Sequence, residues 1–294
     1  FVNYLKTGDG SWPLLLPMVK SAVRAMDAVT AQVERDHGIA IKKFTVTGAS
    51  KRGWTTWLSA AADPRVDAIA PMVIDVLNMP EQMKHQLATW GKYSEQIEDY
   101  SKRGIQQYMS TPAGQSLTQL VDPFAYREQI DQPKLLIFGT NDRYWPVDAC
   151  GLYWNQLQGE KHLLYVPNEG HGIKDVERIF GAVVALQRSR TGGKPLPKFD
   201  WQFDETDQEA VLKVTLTETA KEVRAWTATS KSRDFRESKW TSEVLKGDGK
   251  TFVFKRPKNG ENFAMFGEVV TEQSPADCCL STNLRVFATG AGGQ

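Results

Sequence analysis

The first regular pattern in the chain is a helical repeat of apolar positions between residues 11 and 38. The members of this repeat, three or four positions apart, are Leu15, Val19, Ala22, Val23, Met26, Val29 and Val33. Ser11 suits a helix cap, Pro13 suits a first turn, and Gly38 is typical of a helix end. The pattern therefore predicts one amphipathic helix that ends at Gly38.

A strand, a helix and a second strand are predicted next. The β-branched run "KKFTVTG" (42–48) ends in glycine, and "SKRGWTTWLSAAADP" (50–64) reads as a helix that Asp63 and Pro64 stop. The continuous apolar run "VDAIAPMVI" (66–74) has the length of a buried strand. Since strand–helix–strand units build parallel sheets, we expect an α/β fold.

Residues 75–133 interrupt this alternation. They are rich in Met, Gln, Trp and Tyr, and they predict two or three amphipathic helices without a strand. The alternation resumes with a strand at "PKLLIFG" (133–139), a helix from about Pro146 to Leu157, a strand at "HLLYVP" (162–167) and a helix from Ile173 to about Arg190. Because the interruption is longer than a crossover needs, we interpret residues 75–133 as a helical cap.

The periodicity changes after residue 190. "RTGGKPLP" (190–197) has the composition of a linker, and alternating strands follow it: "AVLKVTL", "EVRAWTAT", "KTFVFK", "NFAMFGEVV" and "LSTNLRVFAT". Short strands separated by polar turns favour a β-sandwich. We therefore expect an α/β domain at 1–190, a linker at 191–197 and an all-β sandwich at 198–294.

The stretch "TVTGASKRGW" (45–54) contains the first candidate for chemistry. Gly48 precedes Ser50 by two positions, as in the G-x-S-x-G turn that presents a nucleophilic serine between a strand and a helix. The second glycine is displaced by one position to Gly53, and Arg52 takes its usual place. The motif alone leaves two interpretations open: a nucleophile on a shifted turn, or a serine that caps an ordinary helix.

Asp142 and His171 complete a catalytic pattern. Asp142 follows one predicted strand directly, in "LLIFGTNDRYW", and His171 follows the next, in "YVPNEGHGI". Taken singly, they read as a turn aspartate and a loop histidine. In the order Ser, Asp, His, after separate parallel strands, they predict an acyl-transfer triad of nucleophile, orienting acid and base. Asp148 and Glu169 are rival acids, less favoured because neither follows the strand directly.

Residues near the predicted triad are candidates for substrate binding. The backbone N–H of Lys51 would be one oxyanion donor. Trp54 is a candidate from its place beside Ser50, and Trp145 would form a pocket wall for sugar or aromatic stacking. The side chains of Lys51 and Arg52 could bind an acidic substrate group, although solvated first-turn side chains are the commoner case.

Composition narrows the classes of function. Lys and Arg total 36 and Asp and Glu total 35, so the net charge of +1 argues against a nucleic-acid partner. No apolar run is long enough to span a bilayer. The four histidines and three cysteines show no metal-ligand spacing, so we expect no metal and no cofactor. A disulfide from Cys150 to Cys278 or Cys279 stays open.

Longer segments of the chain resemble a known family. They are "LPMVKSAVRAMDAV", "FTVTGASKRGWTTWLSAAADPRVDAIAPMVID", "GTNDRYWPVDA" and "NEGHGI", with a continuation in "FGEVVTEQ" and "LSTNLRV". With them the sequence resembles the PhoPQ-activated pathogenicity-related family, a branch of the α/β-hydrolase superfamily. The resemblance implies an exported, extracytoplasmic bacterial protein, and it matches Ser50, Asp142 and His171 to the superfamily's nucleophile, acid and base. The turn "GASKRG" is also similar to the G-x-S-R-x-G turn of glucuronoyl esterases.

Compared with an α/β-hydrolase, this sequence has room for only one helix before the nucleophile strand. The loop that donates the second oxyanion N–H would precede that strand. We expect residues 44–47 to form a sheet edge that a partner chain, a swap or a lost N-terminal fragment completes.

Two functions are consistent with the sequence. The trio of Ser50, Asp142 and His171 favours a serine hydrolase that acts on a small-molecule or carbohydrate acyl ester. The shifted glycine and the missing oxyanion loop favour a catalytically inactive, secreted binding or signalling protein.

Overall fold

The structure is a computed structural model that describes residues 1–288. The chain divides into two compact units, which are treated separately below. The first unit contains residues 1–136 and 152–161, and the second contains residues 137–151 and 162–294. Within the described residues, no helix combines the length and apolar character needed to cross a membrane.

The first unit opens with helices α1 (Val2–Thr7) and α2 (Leu15–His37). The predicted end of α2 is confirmed: Gly38 has φ 66°, and its N–H donates to the Glu34 carbonyl at 2.9 Å. The predicted start is wrong, because α2 begins at Leu15 without a side-chain cap from Ser11. Helix α1 was not predicted, since its six residues are too few to show a period.

The predicted strand–helix–strand unit is present as β1 (Phe44–Ala49), α3 (Lys51–Ala62) and β2 (Val66–Met72). β1 and β2 are parallel, with Thr47 opposite Ala70. β2 ends two residues earlier than predicted, where Val73 has φ 45°. In the described part of the sheet β1 is the outermost strand, as expected, and the segment or partner that would complete it stays a prediction.

Residues 75–133 contain no strand, as predicted, but their helices are shorter and more numerous. They are α4 (Met79–Trp90), α5 (Glu98–Ser101), α6 (Ile105–Tyr108) and α7 (Pro112–Val121), with 3₁₀ turns at Glu95–Ile97 and Pro123–Tyr126. Two glycines in the left-handed region break the helical run, Gly91 at φ 69° and Gly104 at φ 66°.

Strands β3 (Lys134–Gly139) and β4 (Lys161–Val166) begin in the first unit and end in the second. The helix predicted between them is wrong, because the chain forms only 3₁₀ turns at Ala149–Leu152 and Trp154–Gln156. The Nζ of Lys161 donates to the carbonyls of Trp154 at 2.7 Å and Leu157 at 3.0 Å, in and directly after the second of these turns.

Helix α8 (Val176–Arg190) and eight strands make up most of the second unit. The strands are β5 (Phe199–Glu205), β6 (Glu209–Leu216), β7 (Glu222–Ser230), β8 (Thr241–Val244), β9 (Thr251–Pro257), β10 (Asn262–Thr271), β11 (Cys278–Ser281) and β12 (Arg285–Phe287). α8 begins three residues later than predicted, since the Asp175 carboxylate caps it by accepting from the Arg178 N–H at 3.1 Å. β5 and β8 were not predicted.

The strands of the second unit form two sheets. β5, β6 and β9 make one antiparallel sheet, and β11, β10, β7 and β8 follow β4 in the other, where β12 also pairs with β10. Residues 280–289 were predicted as one strand, but β11 and β12 are separated by residues 282–284, and Thr289 lies outside the described residues. Both sheets contribute to one hydrophobic core, which confirms the predicted C-terminal β-sandwich.

The division into two units does not coincide with the predicted boundary near residue 190. β11 pairs with β4 at Ser281 and Leu163, so strands from both sides of the predicted linker share a sheet. Whether residues 1–190 and 198–294 fold independently therefore stays a prediction. Cys150, Cys278 and Cys279 are buried, and no disulfide links them.

Candidate active site

Ser50 lies on a strained turn between β1 and α3. Its backbone has φ 59° and ψ −126°, a conformation that non-glycine residues rarely adopt. Its N–H donates to the Met72 carbonyl at 2.9 Å, and its carbonyl accepts from the Trp54 N–H at 2.9 Å. The side chain makes no cap hydrogen bond to α3, so Ser50 is not an ordinary helix cap. Such a turn is typical of a nucleophile elbow.

The two glycines of the motif lie where strand and helix approach each other. A Cβ at Gly48 would be 2.8 Å from the Arg52 Cβ and 2.9 Å from its carbonyl oxygen. A Cβ at Gly53 would be 2.8 Å from the carbonyl oxygens of both Gly48 and Met72. The side chain of Arg52 is exposed. The turn therefore needs its second glycine at position 53, and the shifted spacing still provides the clearance of an elbow.

Asp142 and His171 form a hydrogen-bonded pair in the second unit. Asp142 Oδ2 lies 2.9 Å from His171 Nδ1, and Asp142 Oδ1 accepts from the Tyr144 N–H at 2.9 Å. The Tyr144 ring lies 4.1 Å from the imidazole, centroid to centroid. His171 Nε2 is buried and has no hydrogen-bond partner among the described residues. An imidazole oriented by a carboxylate at one nitrogen and unbonded at the other has the arrangement of a general base.

The loops after β3 and β4 cross closely, and this crossing brings the pair together. A Cβ at Gly139 would be 2.4 Å from the Glu169 carbonyl oxygen and 2.5 Å from that of Gly170. The Asn141 N–H also donates to the Glu169 carbonyl at 2.8 Å. Glycine at 139 therefore lets the histidine loop pass directly over the end of β3.

The rival acids have other partners. The carboxylate of Asp148 lies 3.3 Å from the Arg233 guanidinium, and that of Glu169 accepts from the Lys174 N–H at 3.1 Å. The partner of His171 Nδ1 is instead the carboxylate of Asp142, as the sequence order predicts.

The other predicted site residues lie in different surroundings. Lys51 is the first residue of α3, and Trp54 is 6% exposed with its Nε1 donating to the Val121 carbonyl at 2.6 Å. In the first unit both line a cleft of about 400 Å³, together with the rings of Phe1, Trp12 and Tyr100. Trp145, in the second unit, is buried. The oxyanion role of Lys51 and the substrate-binding roles of Arg52, Trp54 and Trp145 stay predictions.

The three residues of the predicted triad belong to two different units. Ser50 belongs to the first unit, and the Asp142–His171 pair belongs to the second. Across residues 1–288, no group of three or more His, Cys, Asp or Glu side chains is placed to hold a metal ion. The sequence reasoning missed Asn141 and Asn168, whose side chains contact a distant segment. Their proximity in sequence to Asp142 and His171 was the only available signal.

The parallel strands, the elbow serine and the strand-end aspartate and histidine define an α/β-hydrolase fold. The chain belongs to the PhoPQ-activated pathogenicity-related protein family, which it matches over residues 1–236. It is 36% identical over 243 residues to autocrine proliferation repressor protein A from Dictyostelium discoideum, a match that covers 78% of this chain and 49% of that protein. The chain thus spans about half the length of this curated relative.

Two solved structures are similar to the chain. An acetyl xylan esterase from Paenibacillus sp. R4 is 16% identical, with 62% of this chain and 52% of that chain covered and a TM-score of 0.45. A puromycin-hydrolyzing peptidase from Mycobacterium tuberculosis is 22% identical, with 60% and 26% covered and a TM-score of 0.42.

Proposed function

We propose that the protein is a serine hydrolase that cleaves carboxylic esters through an acyl-enzyme on Ser50. The observation that carries the proposal is the backbone of Ser50, held at φ 59° and ψ −126° with no cap hydrogen bond from its side chain. A strained conformation persists only where the surrounding structure imposes it, and such conformations concentrate at functional sites. A serine that only began a helix would accept a hydrogen bond from that helix.

The Asp142–His171 pair supplies the proton chemistry in this proposal. Ser50 Oγ attacks the ester carbonyl carbon and gives its proton to His171 Nε2. The imidazolium then protonates the departing alcohol oxygen, and a water molecule, activated by the same Nε2, hydrolyses the acyl-enzyme. Asp142 stabilises the imidazolium through Nδ1, and the Lys51 N–H is one donor to the oxyanion.

The substrate in this proposal is an acyl ester of a small molecule or a carbohydrate. The cleft beside α3 supports this class, because aromatic residues and Lys51 line it. An acidic group on the substrate would pair with Lys51 or with the exposed side chain of Arg52. Family membership supports an extracytoplasmic location as part of the same proposal.

A second candidate function is binding without catalysis, as a secreted hydrolase-like signalling protein. The Dictyostelium relative is named as an autocrine proliferation repressor, which favours a role in signalling. The shifted glycine no longer supports this candidate by itself, because Gly53 provides the clearance that the turn needs.

Labelling with a fluorophosphonate probe distinguishes the two functions. The parent protein should be labelled, as should Ser21→Ala, a control at an exposed serine on α2. Ser50→Ala should not be labelled, and His171→Gln should be labelled far more slowly. A folded protein without Ser50-dependent labelling would reject the enzyme and leave the binding candidate. A panel of acyl, acetyl-sugar and uronate esters would then identify the substrate class of a protein that is labelled.

A further inference from the structure

A segment of the β-sandwich contacts both loops that carry the Asp142–His171 pair. This clasp segment (residues 231–240) connects β7 to β8. The Nδ2 of Asn141 donates to the carbonyls of Ser238 at 2.7 Å and Arg236 at 3.1 Å. All these residues belong to the second unit. The residue directly before the acid is thereby bonded to main chain almost a hundred positions away.

Asn168 makes a second connection, on the histidine loop. Its Nδ2 donates to the Trp240 carbonyl at 3.0 Å, and its Oδ1 accepts from the Trp240 N–H at 2.7 Å. The side-chain amide of Asn168 thus bonds both the N–H and the C=O of Trp240, as the backbone of a paired strand would. Asn168 has φ 61°, a conformation that asparagine tolerates better than most residues. It lies three residues before His171.

The two loops are also bonded to each other through Thr140. Its Oγ1 donates to the Asn141 Oδ1 at 2.8 Å and accepts from the Asn168 N–H at 2.9 Å. The amide of Asn141 therefore has its oxygen and its nitrogen engaged at once, which fixes the orientation of the side chain. Threonine and the two asparagines form one connected network around the ends of β3 and β4.

The clasp segment is itself well anchored. Phe235 and Trp240 are each 2% exposed, and the Trp240 ring lies 5.5 Å from that of Phe266 on β10. Arg236 donates to both carboxylate oxygens of Asp234, at 2.9 Å and 2.6 Å. A segment with buried aromatic anchors and an internal bidentate ion pair is suited to hold other groups in place.

We propose that Asn141 and Asn168 are positioning residues, through which the clasp segment maintains the Asp142–His171 hydrogen bond. The tautomer of a histidine is set by the bond that its other nitrogen makes. Loss of either amide would let its loop shift, weaken the bond at Nδ1 and leave the imidazole in mixed tautomers. The consequence for catalysis rests on the proposed function, whereas the geometry of the pair does not.

Two variants remove the contacts with little other change. Asn168→Gly deletes the amide at a backbone conformation that glycine adopts without strain. Asn141→Asp keeps the shape but replaces the donor with a carboxylate that faces main-chain carbonyls. Glu237→Gln is the matched control, because it removes an ion pair with Arg143 from the same segment and is 83% exposed. Asn168→Asp keeps the acceptor for the Trp240 N–H and should have an intermediate effect.

The readouts are the tautomer of His171, by ¹⁵N–¹H correlation NMR, and the rate of Ser50 labelling. His171→Gln assigns the resonances. We expect the Nδ1–H tautomer in the parent protein and in Glu237→Gln, and mixed tautomers in Asn168→Gly and Asn141→Asp. Their labelling should be slower by about 10²-fold, the cost of a 1 Å misplacement. Far-UV circular dichroism checks that each variant is folded.

The outcomes separate the two proposals. A pure Nδ1–H tautomer in every folded asparagine variant, including Asn168→Asp, would overturn the positioning role. If the asparagine variants change the tautomer of His171 but the parent protein is not labelled at Ser50, the positioning role is supported and the hydrolase proposal is rejected.

Discussion

Substitution of Gly53 by alanine should damage the turn that presents Ser50. At most positions early in a helix, alanine in place of glycine stabilises by up to about 1 kcal/mol. Here the added Cβ would lie 2.7 Å from the Ile74 Cγ2 and 2.8 Å from the carbonyl oxygens of Gly48 and Met72. Two of these three atoms are main chain and cannot rotate away.

Relief of this overlap requires α3 to move away from β1 and β2. Overpacking of a well-packed site costs about 1–3 kcal/mol, and backbone neighbours place this case at the upper end. After the helical gain is subtracted, we expect Gly53→Ala to lower the free energy of unfolding by about 2 kcal/mol. Because Ser50 is on the displaced turn, its labelling by a fluorophosphonate should also slow.

Urea unfolding followed by tryptophan fluorescence measures the first quantity. Gly151→Ala is the control, since a Cβ there meets nothing within 4 Å, and it should change the stability by less than about 0.5 kcal/mol. If Gly53→Ala were as stable as the parent protein and labelled at the same rate, then Gly53 would not provide the clearance of the elbow. The shifted motif would then need another explanation.

Three further predictions concern buried polar groups of the first unit. Burial raises the pKa of Asp122 to about 6, although hydrogen bonds from the Met79 and Phe124 N–H groups lower it. Because the folded protein therefore holds this proton more tightly than the unfolded chain, the free energy of unfolding should fall by up to about 3 kcal/mol as pH rises from about 4 to 6. Urea titrations of Asp122→Asn should lack this slope, and its persistence would contradict the assignment. Burial lowers the pKa of Lys134 to about 8, so the free energy of unfolding should rise between about pH 8 and 10.5. The same urea titrations should show this rise in the parent protein but not in Lys134→Met. Tyr153→Phe removes the hydroxyl that donates to Asp75 at 2.6 Å and should cost about 1–3 kcal/mol in urea unfolding, whereas exposed Tyr108→Phe should cost almost nothing; equal costs would refute the role of that bond.

Local patterns along the chain were enough to predict α2 and the first four strands. The apolar repeat of α2 and the runs of β1, β2, β3 and β4 each contain their own signal within a few residues. The helix expected at residues 146–157 failed for the opposite reason. Its sequence is compatible with a helix, but the segment forms two short 3₁₀ turns, and no local signal in the sequence distinguishes such turns from a helix.

The serine turn was predictable in kind but not in detail. Gly48, Ser50 and Gly53 stand together in the sequence, so a strand-to-helix turn with close approach could be expected. Which glycine gives the clearance depends on the Met72 carbonyl at the end of β2, nineteen residues after Gly53 in the sequence. Only the coordinates show that the glycine belongs at 53, and that Ser50 does not cap its helix.

The contacts of the clasp segment could not be predicted from the sequence. A change of periodicity near residue 190 marks a change in secondary structure, but it carries no information about which loops meet. Asn141 and Ser238 are 97 residues apart, and Asn168 and Trp240 are 72 apart, yet they make direct hydrogen bonds. The family match extends to residue 236, past the linker-like stretch and into the clasp segment. Both observations favour a β-sandwich whose first long connection supports Asp142 and His171.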